Sequence, residues 1–265
     1  MNNLIIIHPG GAHFDELFAV SLILAAFPDT GFSIQRRNPT PRELDDANVW
    51  VIDVGGRHQP EKKNFDHHQS LDIDASFILV AQHLNFEHRL SVHPWWTYKN
   101  RIDRFGSFKT AAEHGIERLD FTDSPLESWF LNLFAQNPTD VLPLLRSFGQ
   151  RMLDEADALN DQFNFWQSCE TIQVKNKTVI IGLTSNSTGS QRFSERMKTP
   201  ASVCLSYDRR GNGWRLARLN DASGINFSRL EGHAEIKFAH KSGFVAKTRE
   251  RLPLQEVLAL VKIAL

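Results

Sequence analysis

Leu4-Ile5-Ile6-Ile7 and Val49-Trp50-Val51-Ile52 are short, largely β-branched runs, and each ends on a polar group, His8 in the first case and Asp53 in the second. Unbroken apolar runs of this length are the pattern of strands buried on both faces of a parallel sheet. Between them, Asp15 to Phe27 predicts a helix, stopped by Pro28 and the turn residues Asp29-Thr30-Gly31. Phe32 to Arg37 predicts a second strand, and Pro41-Arg42-Glu43-Leu44 a short helix. This alternation predicts an α/β fold built on a doubly wound, mostly parallel sheet. Ser76 to Leu84 reads as helical, and the aromatic-rich stretch from Trp95 to Phe134 predicts helices covering the sheet, with Trp95-Trp96 in the core.

The pattern changes in the second half. Leu142, Leu145, Phe148, Met152, Ala156 and Leu159 step by three or four, which predicts one long connecting helix over Thr139 to Trp166. Beyond it, Thr171 to Val174 and Thr178 to Leu183 flank the turn Lys175-Asn176-Lys177 and read as a hairpin. Ser202 to Tyr207 and Trp214 to Leu219 form a second pair around Asp208 to Gly213. Pro253 opens a closing helix, Leu254 to Leu265. The expected organisation is a catalytic domain over 1–168, connector included, and a smaller α+β domain over 169–265 across a cleft.

Composition narrows the classes. A chain of 265 residues can bury two cores. With 30 Lys and Arg against 31 Asp and Glu there is no global pull towards nucleic acid or an anionic membrane, so a polynucleotide would need a local basic groove. Cys169 and Cys204 lack metal-ligand spacing and read as structural thiols of a reducing compartment. Leu4 to Ile7 is too short for a signal-peptide core, and no apolar run reaches membrane-spanning length. The expectation is a soluble cytoplasmic protein with no membrane partner.

The chemistry lies in the polar groups that follow the apolar runs. HPGGAHFDE, His8 to Glu16, follows the first strand, Val54-Gly55-Gly56 follows Asp53, and Asp66-His67-His68 comes shortly after. In open α/β sheets the carboxyl edge of the strands is where ligands bind. His8, His13, Asp15, Asp53, Asp66, His67, His68 and Asp103 combine imidazole and carboxylate without thiolate. That donor set suits an octahedral divalent ion such as Mn2+, with Mg2+ or Co2+ also served, better than a structural zinc. Two such ions can activate water and stabilise the attacking and leaving oxygens at phosphorus. Gly10-Gly11 and Gly55-Gly56 would let backbone approach a ligand, and the helix starting near Asp15 would add positive potential. Each motif alone has a plainer reading as tight turn, surface histidine pair or N-cap. Their co-occurrence in this order outweighs it.

These motifs resemble the DHH phosphoesterases, and within them the melanocyte-proliferating-gene (Myg) branch, whose members include metal-dependent RNA exonucleases. HPGGAHFDE, IDVGGR (Ile52 to Arg57) and FDHHQ (Phe65 to Gln69) carry the resemblance, and IDRFG (Ile102 to Gly106) is similar to a fourth, weaker motif. WRLARLN (Trp214 to Asn220) and FAHKSGF (Phe238 to Phe244) resemble the branch's carboxyl-terminal signatures. By position, the resemblance implies that His8, His13 and Asp53 hold one ion and that Asp15, Asp53, His67 and Asp103 hold another, with Asp53 as the bridge. Many DHH proteins carry Asp where this chain has His13, a change the Myg branch shares. Asp66 would orient His67 or the attacking water. His68 would contact phosphate, and a histidine beside the metals could protonate a leaving oxygen.

In this superfamily the second half closes over the substrate, often through a glycine-rich motif containing histidine. This chain has no Gly-Gly-Gly-His run, and HKSGF is its nearest equivalent, which makes His240, Lys241, Ser242 and Gly243 candidate substrate contacts. The plainer reading is a β-turn with an exposed lysine. Arg192, with Arg196 and Lys198, either tracks a nucleic-acid backbone or lines a solvated helix face. Arg36-Arg37 and Lys62-Lys63 have the same two readings. The expected function is two-metal hydrolysis of a phosphodiester, by 3′-to-5′ removal of nucleotides from RNA or short oligonucleotides. The alternatives are a phosphatase acting on a small phosphorylated metabolite (pyrophosphate or a nucleotide bisphosphate) and a non-catalytic metal- or nucleotide-binding protein.

Overall fold

The structure is a computed structural model that describes residues 3–115, 117 and 124–265. Two compact units are present, Met1–Ala158 and Leu159–Leu265. No helix among the described residues is long and apolar enough to cross a membrane.

In the first unit, β1 (Asn3–Ile7), β2 (Phe32–Arg36) and β3 (Val49–Ile52) form the parallel heart of a five-stranded sheet. Ile5, Ile6, Ile7, Val51 and Ile52 are fully buried, as an apolar run covered on both faces requires. Two two-residue strands, β4 (His58–Gln59) and β5 (Asn64–Phe65), complete the order β2-β1-β3-β5-β4. β5 runs parallel to β3, while β4 is antiparallel. Neither short strand is visible as an apolar run. Because the chain leaves β1 towards β2 on one side and finds β3 on the other, the carboxyl ends of β1 and β3 flank a topological switch point.

Helix α1 (Phe14–Ala26) is buried along nearly its whole length. α2 (Pro41–Leu44) is capped by Thr40, and its Leu44 joins Ile6, Val49 and Val51 in a cluster. α3 (Ser76–His83) follows the Asp66-His67-His68 segment, with α4 (Glu87–Leu90) next. The aromatic-rich stretch forms α5 (Trp96–Phe105), α6 (Ser107–His114) and α7 (Pro125–Gln136), while residues 116 and 118–123 of it lie outside the described residues. Trp96 is buried and Trp95 half-buried. The long helix α8 runs Leu142–Ser168, its start three residues later than the apolar period suggests.

In the second unit, β6 (Glu170–Val174), β7 (Lys177–Ile181), β8 (Val203–Tyr207), β9 (Trp214–Arg218), β10 (Ile236–Ala239) and β11 (Val245–Thr248) form a sheet in the order β10-β11-β9-β8-β7-β6. All pairs are antiparallel except β7 with β8, which are joined through α9 (Ser190–Arg196). Alternate residues of the central strands serve two cores. Val179, Ile181, Val203 and Leu205 pack with Phe227 and with Val257 and Val261 of α10 (Leu254–Ala264), while Ile180 and Cys204 face Trp166. The helix-face reading of Arg192 and Arg196 falls on α9 and the β-turn reading of HKSGF on the turn between β10 and β11, while the two strands themselves are hidden because Lys237 and Phe238 are exposed and break the apolar alternation.

Candidate metal centre

Four chain segments converge at the switch point. His8 follows β1, Asp53 follows β3, and His67 comes two residues after β5. His13 immediately precedes α1, whose first turn supplies Asp15, and α5 supplies Asp103. Asp53 has φ +58, a left-handed conformation uncommon outside glycine and tolerated best by Asp and Asn.

The carboxylate of Asp53 faces two ways. Its Oδ2 lies 3.5 Å from His8 Nε2, and its Oδ1 lies 3.3 Å from His67 Nε2. On the first side, His8, His13, Glu16 and Asp53 offer ligand atoms all within 4.8 Å of one another. On the second, Asp15, His67 and Asp103 do the same, with His67 Nε2 at 2.9 Å from Asp103 Oδ2 and 3.7 Å from Asp15 Oδ2. Asp53, His67 and His68 make a third grouping. The imidazoles of His8 and His13 stack at 5.1 Å.

The supporting hydrogen bonds explain why these side chains hold their places. Asp15 Oδ1 accepts from the Phe77 amide at 2.6 Å and Oδ2 from the Ser76 amide at 2.9 Å, so the carboxylate binds the first turn of α3. Both oxygens of this almost fully buried carboxyl are thereby satisfied by backbone donors. Asp66 departs from expectation. Its Oδ1 accepts from the His68 amide at 3.0 Å and lies 2.7 Å from His68 Nδ1, while Oδ2 accepts from the Gly56 amide at 2.6 Å. Asp66 is therefore bonded to His68, two positions along the chain, in a tight local turn.

Two further residues hold the site together. Glu16 is fully buried and accepts from the His13 amide at 2.9 and 3.0 Å, with His8 Nε2 3.1 Å away. Arg36, at the end of β2, donates to the Gly10 and Gly11 carbonyls at 3.2 and 2.9 Å and sits 3.4 Å from Glu16. It pins the HPGG loop. The spacing His13-x-x-Glu16 is a helix-start signal that could have singled out Glu16. Arg36 needed the β1–β2 register, in which Ile7 lies opposite Arg36. Arg37 pairs with Glu43, and Lys62 with Asp45.

The charge balance of the site fits a cation. Burial, then the charges of Asp103 and Asp53, hold the Asp15 carboxyl well above its usual range, and burial likewise raises Asp53. The Glu16 carboxylate raises His8 to about 9 against the cost of burial. For His67, burial is outweighed by Asp103 and Asp53, and its value rises to about 10. Asp66 shifts the other way: burial is overcome by the His68 and Gly56 amides, and its carboxyl stays below the ordinary value. His8 Nε2 and Asp103 Oδ2 are buried, and each lies beside a ring or carboxylate atom, Glu16 Oε1 at 3.1 Å and His67 Nε2 at 2.9 Å, without a well-aligned hydrogen bond. One such poorly satisfied donor atom in each main cluster is available to a cation. The residues present therefore fit divalent cations.

A pH dependence follows. Histidines whose folded values lie above the unfolded 6.5 contribute stability that is complete below about pH 6.5 and is lost as pH rises through about 9 and 10. The raised carboxylates act in the same direction, since ionising them also costs the folded state. The thermal midpoint of chelator-treated protein is expected to fall between about pH 6.5 and 8.5. Saturating Mn2+, which displaces those protons, is expected to remove the fall. Melting curves at both pH values, with and without the ion, check this, and equal slopes in the two series would contradict it.

The remaining sequence candidates lie in the second unit. His240, Lys241, Ser242 and Gly243 form the turn between β10 and β11. His240 Nδ1 lies 2.7 Å from Ser242 Oγ, and Lys241 is exposed. Gly243 has φ +74, and a Cβ there would stand 1.9 Å from Asn226 Oδ1, so internal packing alone requires glycine. Arg192 is exposed on α9, and Arg196 of the same helix lies over the Phe163 ring.

Residues 4–76, which hold every candidate ligand except Asp103, match the family model MYG1_exonuc, described as an uncharacterised protein family (UPF0160). Over that segment, well under half of its length, the chain is similar to the MYG1_exonuc family. A curated relative, the MYG1 protein of Chlamydia trachomatis serovar D, is 29% identical over 119 residues, 43% of this chain and 36% of that protein. The chain thus matches little more than a third of the relative's length. Two structures of RecJ from Thermus thermophilus, in complex with Mn2+ and with Mg2+, are 13% and 12% identical. They cover 98% of this chain and 51% and 49% of theirs, each at a TM-score of 0.28, a level that carries no weight for the activity of this protein.

Proposed function

We propose that this protein is a metal-dependent phosphodiester hydrolase that removes nucleotides in the 3′-to-5′ direction from RNA or short oligonucleotides. The observation that supports this reading is the two-sided Asp53 carboxylate, with His8 on one side and His67 on the other, each backed by further imidazole and carboxylate groups. His8, His13 and Asp53 would hold one divalent ion, with Glu16 beside them, and Asp15, Asp53, His67 and Asp103 would hold the second. When bound, the pair would supply water activated at neutral pH and positive charge for the attacking and leaving oxygens. Mn2+ is the proposed ion, since the donors are nitrogen and oxygen only.

The protein's own residues supply the rest. His68 is 64% exposed at its side chain while its Nδ1 is engaged by Asp66, which leaves Nε2 as the ring position to meet a phosphate or leaving oxygen. A cavity of about 290 Å³ lined by His13, Phe14, Asp15, Lys99 and Asp103 adjoins the cluster and offers space for a substrate group. His240, Lys241 and Ser242, with Arg192, are the proposed substrate contacts of the second unit.

Labelled RNA oligomers, pyrophosphate and adenosine bisphosphate, assayed side by side with Mn2+, test the reading. Stepwise shortening of RNA from its 3′ end, with little release of phosphate from the small molecules, is the expected outcome. Preferential turnover of pyrophosphate or the bisphosphate would replace the exonuclease reading with a small-molecule phosphatase.

A further inference from the structure

Among the candidate ligands, Asp103 comes from a helix whose anchorage in the core lies at its far end. Trp96 is the buried residue of α5, seven positions before Asp103, and the helix is otherwise half-buried or exposed. The segment around Asp103 is held by polar contacts to the loop that leads from His68 into α3. Arg104 Nη1 donates to Asp74 Oδ1 at 2.7 Å, and Asn100 Nδ2 donates to the same oxygen at 2.9 Å. Asn100 Oδ1 accepts from the Ala75 amide at 3.0 Å, and Arg104 Nη2 donates to the Leu71 backbone carbonyl.

The geometry points to Asp74, clasped by Asn100 and Arg104, as a positioning residue that sets Asp103 at the second ion site. Asn100, Asp103 and Arg104 stand at i, i+3 and i+4 and so share one helix face, which makes the orientation of the two clasping side chains also that of Asp103. The loop end of the clasp is fixed in turn. Ala75 is followed by Ser76 and Phe77, whose amides bind the Asp15 carboxylate. Asp15 and Asp103, two ligands of the same proposed ion, are thus tied through one short segment, Asp74 to Phe77. The Asp74 carboxylate touches neither His67 nor Asp53 in the contacts of the structure and acts through the helix. This inference rests on the two-ion reading above.

Calorimetric titration of Mn2+ into the chelator-stripped 265-residue chain provides the test, with Asp74→Ala, Asp74→Asn and Arg104→Lys beside the wild type. Residues that orient metal ligands typically contribute about 10–100-fold in metal affinity. Asp74→Ala is expected to weaken one of two binding steps by that factor and leave the other at its wild-type value. Asp74→Asn, which keeps an acceptor for both donors, should recover part of the loss. Should Asp74→Ala fail to fold, Arg104→Lys carries the test, because lysine cannot reach Asp74 and the Leu71 carbonyl together. Two unchanged steps in a folded variant, or equal weakening of both, would overturn the positioning role while the two-ion reading stands. Absence of binding by the wild type would overturn both.

Discussion

Asp53→Asn is expected to abolish binding of both ions and to reduce hydrolysis by at least ~10³-fold, because one side chain faces both clusters and its loss affects nucleophile generation and charge stabilisation together. Asparagine is the informative replacement. Asp53 sits at φ +58, which asparagine adopts with little strain, whereas alanine would add a backbone penalty to the chemical one. The amide also preserves volume at a buried position next to fully buried Ile52. Metal analysis of the purified variant, alongside a turnover assay, checks the result. Two ions retained at wild-type affinity would show that Asp53 is not the bridge.

His67→Ala and His68→Ala are expected to separate, although the residues are neighbours and their rings lie 4.5 Å apart. His67 is buried among Asp15, Asp53 and Asp103, and its removal should lower metal occupancy at the second site along with activity. His68 lies 3.6 Å from Asp53 Oδ1 through its Nδ1, yet that nitrogen is committed to Asp66 at 2.7 Å, and the side chain is largely exposed. Its removal should leave metal content near the wild-type level and reduce turnover by about 10²–10⁴-fold, the range of a positioned proton donor. Atomic absorption of both variants after dialysis, with turnover measured on the same samples, gives the comparison. Equal metal loss in the two would assign His68 to the ligand shell instead.

The strands that frame the site were legible because burial on both faces demands unbroken apolar runs, and Leu4 to Ile7 and Val49 to Ile52 contain nothing else. The polar residues directly after those runs stand out against them, which marks His8 and Asp53. Glu16 is legible only as the helix-start partner of His13, while its contact with Arg36 joins residues 20 apart in sequence, which no local pattern links. The orientation of Asp66 towards His68 is likewise a matter of backbone closure, settled by the amides of His68 and Gly56. β4 and β5 have two residues each, too few to show a period. In the second unit, the β10–β11 hairpin hides behind Lys237, Phe238 and Lys241, whose exposure erases the alternation by which strands are recognised.

Removal and return of the metal tests the central claim most directly. The 265-residue chain, stripped with EDTA and passed into metal-free buffer, is titrated with Mn2+ while RNA hydrolysis is followed on the same samples. Activity is expected to be absent at the start and to recover in step with binding, reaching its maximum only as the second ion site fills. Full turnover by protein shown to be free of metal, or saturation with two ions without any phosphoester hydrolysis, would contradict the account.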